Sequence, residues 1–133
     1  MAPDALADRR ILVVEDELLI AVLIEEFLQA HGCIVVGPVS KLEVALRLAG
    51  DEALDGAILD VTIRGGKVYP VADRLRARGI PFVLASGYGD WALPEGYRNL
   101  PRLTKPFTLL ELEESVALLC QRRDAGVLTA PPV

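Results

Sequence analysis

At 133 residues, 52% apolar and 25% charged, the chain has the size and composition of one folded domain rather than a disordered, fibrous or two-domain protein. A net charge of −5 with no basic block argues against direct binding to nucleic acid or an anionic membrane. No apolar run approaches the roughly 20 residues of a membrane span, because "ILVV" and "LLIAVLI" are split by the charged "EDE", and the opening MAPDALADRR lacks the apolar segment of a signal peptide, so a cytoplasmic protein is expected.

"RILVV" (10–14) is a continuous branched apolar run, the pattern of a strand buried on both faces. A helical pattern over 18–31 follows, with Ile20, Leu23, Ile24, Phe27 and Leu28 on one stripe and Gly32 as its stop. His31, just before that stop, suits the negative end of the helix dipole. "CIVVG" (33–37) predicts the second strand. Ser40 with Glu43 three residues on reads as a capping box, opening a helix that stops at Gly50.

"GAILD" (56–60) predicts the third strand, with one carboxylate, Asp60, at the end of a buried run. "VTIRGGKVY" then reads as a loop with paired glycines, and Pro70 fits the first turn of a helix that ends at Gly79. Arg74, Arg76 and Arg78 alternate on that helix and are expected on a solvated face. "IPFVLAS" (80–86) predicts the fourth strand. The stretch 87–100 carries Gly87, Gly89, Pro94 and Gly96 and supports at most one or two irregular turns. "PRLTK" predicts a short fifth strand. Thr108 with Glu111 makes another capping box, and Leu112, Val116, Leu119 and Cys120 fall on the inward face of the last helix. Cys33 and Cys120 match no metal-ligand spacing, so both are expected as buried small residues in a reducing compartment.

Strands alternating with helical crossovers predict an α/β fold: a doubly wound, five-stranded parallel sheet in the order 2-1-3-4-5, helices on both faces. One packed unit over 9–123 is expected between loose ends at 1–8 and 124–133. In such a sheet the residues following the strands gather at one edge, the carboxyl edge where these folds bind ligands. There the chain supplies Glu15 and Asp16, with Glu17 just beyond, then Asp60, Ser86 and Lys105. Several carboxylates in one crevice repel one another unless a cation holds them, and oxygen donors without His or Cys suit magnesium or manganese. A metal with an ammonium and a hydroxyl beside it suits a phosphoryl group, which one carboxylate can accept as nucleophile. Asp60, ending the central strand, is the choice for that role, with Glu15 and Asp16 as the metal shelf.

"ILVVEDE", "AILDV", "LAS" and "LTKPF", in this order and spacing from residue 10 to about residue 123, resemble the receiver domain of two-component response regulators, a flavodoxin-like fold. The resemblance implies that Asp60 is the phosphoacceptor for a histidine kinase. It implies that Asp16 and Asp60 ligate Mg2+ (or Mn2+), that Glu15 reaches the metal through water, and that the backbone carbonyl of Thr62 completes the protein ligands. Ser86 would hydrogen-bond the phosphoryl group, and Lys105 would pair with it, aimed by a Lys105–Pro106 bond that is commonly cis in the family. The family usually has an aromatic switch residue where this chain has Arg102. "PFVLASGYG" is instead similar to receivers of alphaproteobacteria that carry a Phe-Ala-Thr-Gly-type motif and lack that aromatic. The switch is therefore expected in 87–100, with Tyr88 or Trp91 as its aromatic, alongside Ser86 and Arg102.

The resemblance implies a phosphoacceptor signalling domain rather than a turnover enzyme: a stand-alone receiver, monomer or weak dimer. Its partners would be a histidine kinase and a phosphotransfer protein or other protein target. Two other readings stay open at this point. One is a pseudo-receiver that binds partners without phosphorylation, which Arg102 keeps in play. The other is a metal-dependent phosphohydrolase of the haloacid dehalogenase type, whose usual second aspartate would fall at Thr62.

Overall fold

A computed structural model describes residues 6–87, 94–97 and 99–126. Five parallel strands, β1 (Arg10–Val14), β2 (Ile34–Val39), β3 (Gly56–Asp60), β6 (Phe82–Ser86) and β7 (Arg102–Thr104), form one sheet in the order β2-β1-β3-β6-β7. This is the predicted doubly wound topology. Two further short strands, β4 (Thr62–Ile63) and β5 (Gly66–Lys67), make an antiparallel hairpin where an open loop was expected. The helices are α1 (Leu18–Ala30), α2 (Leu42–Asp51), α3 (Tyr69–Ala77) and α4 (Leu109–Ala125).

Side chains alternate across a strand, so each central strand feeds two cores. Leu12, Val14, Leu59, Phe82 and Leu84 join Ala45 and Ala49 of α2 and Val71 and Leu75 of α3. Ile11, Val13, Ile58 and Val83 join Ile24 and Leu28 of α1 and Leu112, Val116 and Leu119 of α4. All five residues of β3 are buried, because β1 and β6 pair with its two edges and helices cover both faces. Packing begins ahead of Arg9: Leu6 is fully buried, and the Asp8 N–H donates to the Gly32 carbonyl at 2.8 Å. Cys33 and Cys120 are buried free thiols. No described helix is long and apolar enough to cross a membrane.

Several local expectations change in three dimensions. The Ser40–Glu43 box does not form: α2 starts at Leu42, with Lys41 as its cap residue and no side-chain cap. The Arg64 backbone takes that role from a distance, its carbonyl accepting from Leu42 N at 2.8 Å while its N–H donates to the Ser40 carbonyl at 3.0 Å. The helix also runs through Gly50 to Asp51, and a Cβ on Gly50 would sit 3.2 Å from Arg74 Cδ. Arg74 and Arg78 are exposed, as expected, and also donate to the Leu46 and Ala49 carbonyls in the last two turns of α2, at 3.0 and 2.6 Å. On α1 the inward stripe holds Ile20, Ile24, Phe27 and Leu28 as expected, joined by Ala21, but Leu23 turns outward with Leu18, Leu19 and Val22. Asp60 is the last paired residue of β3, opposite Ala85, as the pattern of 56–60 predicts.

Where the signal was local it holds. Gly32 closes α1 at φ +82°, and the Thr108–Glu111 box forms in both directions, at 2.8 and 3.0 Å. The irregularity of 87–100 is visible in its described part as a single short 3-10 turn, Glu95–Tyr97.

Candidate active site

The site is assembled at the carboxyl edge by backbone pairing. The Glu15 N–H donates to the Val39 carbonyl at 2.9 Å, Val61 N–H to Ala85 at 3.0 Å, and Lys105 N–H to Ser86 at 2.8 Å. Gly37 allows the first of these contacts: at φ +100° it lets β2 bulge against β1, and a Cβ there would sit 2.9 Å from the Val13 carbonyl oxygen. Each bond fixes the exit direction of a strand, so side chains far apart in sequence face one crevice.

Lys105 Nζ is its hub. It lies 3.0 Å from Glu15 Oε1, 3.1 Å from Glu17 Oε1 and 3.3 Å from Asp60 Oδ2. Glu15 and Asp60 are only 3% and 6% exposed, so both carboxylates have traded water for these partners. Glu15 Oε2 also accepts the Glu17 N–H at 3.0 Å. Its other oxygen, Oε1, touches the ammonium but accepts no well-directed hydrogen bond.

Burial, and then neighbouring Glu15, push the Asp60 carboxyl up to about 6, against the pull of Lys105 and Asp16. Asp16 is also raised, first by burial and then by Asp60. Burial works against the Lys105 charge, but Glu15, Asp60 and Glu17 outweigh it and raise its pKa. Three acids thus crowd one ammonium, and the crevice remains short of positive charge. Glu15, Asp16 and Asp60 each bring a carboxylate oxygen within 4.8 Å of the others. An all-oxygen donor set with an underused buried oxygen fits a hard divalent cation.

The crevice opens into a groove of about 930 Å³, lined by Asp16, Asp60 and Lys105 together with Thr62, Lys67 and Tyr69. No family model matches the chain. Among solved structures it is similar to SdrG from Sphingomonas melonis Fr1, with 42% identity, a TM-score of 0.75, and coverage of 90% of this chain and 98% of that one. It is also similar to a response regulator receiver protein from Sinorhizobium medicae, at 28% identity and a TM-score of 0.76 over 87% of this chain and 97% of that one. The chain belongs to the response-regulator receiver domains.

A curated relative, the transcriptional regulatory protein PdtaR of Mycobacterium tuberculosis, is 29% identical over 123 residues; the match covers 90% of this receiver but 60% of PdtaR. The receiver brings Glu15, Asp16, Asp60 and Lys105 into contact and leaves other expected residues around them. Ser86 is buried at the end of β6 and lines the groove. Thr62 also lines it, with its hydroxyl accepting from Lys67 Nζ at 2.8 Å. The Lys105–Pro106 bond is cis. Arg102 lies on edge strand β7, paired in register with Leu84 and exposed. Tyr88 and Trp91 lie outside the described residues. His31 stays at the end of α1, with Nδ1 3.0 Å from the Phe27 carbonyl and Nε2 3.3 Å from Glu113 of α4.

Sequence reasoning missed Lys67, Tyr69 and Tyr97. The Tyr69 ring stacks on Tyr97 with centroids 4.5 Å apart, the Tyr97 hydroxyl donates to Asp73, and the Arg76 guanidinium sits 5.3 Å above the Tyr97 ring. Burial and the Asp73 carboxylate push the Tyr97 phenol up to about 12. The paired glycines were the available signal for Lys67, since a two-strand hairpin returns the chain to the groove; nothing local marks the tyrosine pair.

Proposed function

We propose that this receiver takes a phosphoryl group from a histidine kinase onto Asp60 and passes the resulting state to a partner protein in a two-component pathway. The observation that carries the reading is the convergence of Glu15, Asp16, Asp60 and Lys105, with Lys105 Nζ 3.3 Å from Asp60 Oδ2. Asp16 and Asp60, the backbone carbonyl of Thr62, and Glu15 through water would hold Mg2+ or Mn2+. The cation supplies charge neutralisation to carboxylates and phosphoryl oxygens alike.

An oxygen of ionised Asp60 attacks the phosphorus of a phosphohistidine. The new P–O bond forms as the P–N bond breaks, and the imidazole leaves with the electron pair. Lys105 is already aimed at Asp60 and follows negative charge onto the phosphoryl oxygens, while the Ser86 hydroxyl donates to one of them. The chain acts as phosphoacceptor, not as a turnover enzyme. Its partners are a histidine kinase and a phosphotransfer protein or other protein target.

The state is reported through 87–100, with Ser86, Tyr88 and Arg102 as switch residues, in the manner of receivers with a Phe-Ala-Thr-Gly-type motif. The contact of Tyr97 with Tyr69, which lines the groove, supports that route. Incubation with Mg2+ and acetyl phosphate tests the chemistry: intact mass should rise by one phosphoryl group, and Asp60→Asn should abolish the gain. No gain in the wild type overturns the proposal and favours a pseudo-receiver. Amide exchange with and without beryllofluoride tests the route, and unchanged exchange over 87–100 rejects it.

A further inference from the structure

The groove holds a second ammonium that the chemistry above does not use. Gly65 and Gly66, at φ +99° and +136°, reverse the chain so tightly that Lys67 pairs directly with Thr62, two residues past Asp60. The hairpin is anchored from below: Ile63 and Val68 are buried, and the Val68 N–H donates to the Val61 carbonyl at 2.9 Å. The Lys67 side chain lines the groove, with Nζ donating to Thr62 Oγ1 at 2.8 Å. An ammonium has three donors, so among the described residues this one keeps two in reserve.

The two lysines of the groove differ in what they face. Lys105 is engaged by Glu15, Glu17 and Asp60, and its charge is spent inside the crevice. Among the described residues Lys67 makes no salt bridge; its partner is a neutral hydroxyl. Among the described residues the rest of the charged lining is acidic, Asp16, Glu17 and Asp60, which repels an approaching anion. We infer that Lys67 is a donor-positioning residue: from the hairpin it attracts the anionic phosphoryl donor into the groove. Thr62 Oγ1 steadies its ammonium. This rests on Asp60 being the phosphoacceptor.

With acetyl phosphate as donor, Asp60 forms its bond to phosphorus as the P–O bond to the acetyl group breaks, and acetate leaves with the electron pair. Lys67 acts before that step, so it should govern half-saturation by the donor and not the maximal rate. The full chain with Mg2+ and varied acetyl phosphate, followed by intact mass, provides the test. At low salt Lys67→Met should raise the half-saturating concentration about 5-fold with the maximal rate retained, and Lys67→Glu should raise it further. Lys67→Arg should restore it. In 0.5 M KCl, an ionic strength at which exposed charges are largely screened, the difference should fall below about 2-fold. Phosphoramidate, which carries less negative charge at neutral pH, should show a smaller effect.

A merely structural lysine would give a different pattern. If the Lys67→Met deficit is insensitive to salt and is matched by Thr62→Val, the residue only pins the hairpin and the inference is overturned. Equal half-saturation for Lys67→Met and wild type also overturns it, while leaving Asp60 as phosphoacceptor. Absence of phosphorylation in the wild type overturns both.

Discussion

The two halves of the carboxyl edge are built differently. On the β1–β3 side every residue of β3 is buried, and Glu15 and Asp60 are held by an ammonium shared between them. On the β6–β7 side, β7 is three residues long with only Leu103 buried, and the described part of the preceding segment is a short turn held by the Tyr69–Tyr97 stack. Under the proposed function, the difference separates positioning from reporting. Acids that must stay within ångströms of one another sit on strands paired at both edges, whereas the element that could respond sits beside an edge strand, where few contacts must be broken to move it.

The largest effect should come from breaking the central side. Leu59→Ala removes a fully buried side chain next to Asp60 and should cost about 3 kcal/mol in urea unfolding. The β7 counterpart, Leu103→Ala, should cost about 2 kcal/mol, near the low end for buried leucines, because an edge strand relaxes more readily around the gap. Equal losses would erase the proposed contrast.

Electrostatics should give the next effect. In the metal-free protein the Asp60 carboxyl titrates near 6, above its ordinary 3.8, so the folded state binds that proton more tightly than the unfolded chain. The Asp60 contribution to stability is therefore greatest below pH 4 and is lost as pH rises through about 6. Asp60→Asn should raise Tm at pH 7 in EDTA and flatten that pH dependence. Added Mg2+ should stabilise the wild type at pH 7.5 and have little effect at pH 4.5, where protons compete for the same carboxylates. Thermal melts across pH with and without Mg2+ check both signs.

A finer cut separates reporting from chemistry. Tyr97→Ala removes the ring stack and the Asp73 bond, so it should cost about 1 kcal/mol and speed amide exchange at residues 95–97. Phosphorylation of Asp60 by acetyl phosphate should keep its wild-type rate; a loss of rate would mean the two sides are not separable. Smallest of all, Thr108→Ala deletes one half of the α4 capping box and should lower stability by about 0.5–1 kcal/mol, with no change in phosphorylation.

Which features were legible depends on the distance over which their causes act. Glu15, Asp16, Asp60, Ser86 and Lys105 could be placed together because each ends or follows an apolar run whose period announces a buried strand, and parallel strands share one exit edge. The Thr108–Glu111 box was legible because its partners are three residues apart. The similar Ser40–Glu43 signal misled, because the Arg64 backbone, over twenty residues away, satisfies the start of α2 instead. The exposure of Arg74 and Arg78 was legible from helix periodicity, but their bonds to the carbonyls of α2 were not, because periodicity cannot say what lies against a face.

The amino-acid sequence alone determined the strand-helix alternation, the sheet order and the acids and lysine that meet at its edge, since these follow from short-range patterning and chain handedness. Tertiary structure alone decided how those groups share charge. It raised Asp60 to about 6, tied Lys105 to three carboxylates, and folded a glycine hairpin back to set Lys67 in the groove. Charge sharing depends on distances of a few ångströms and on burial, and both exist only once the strands have paired.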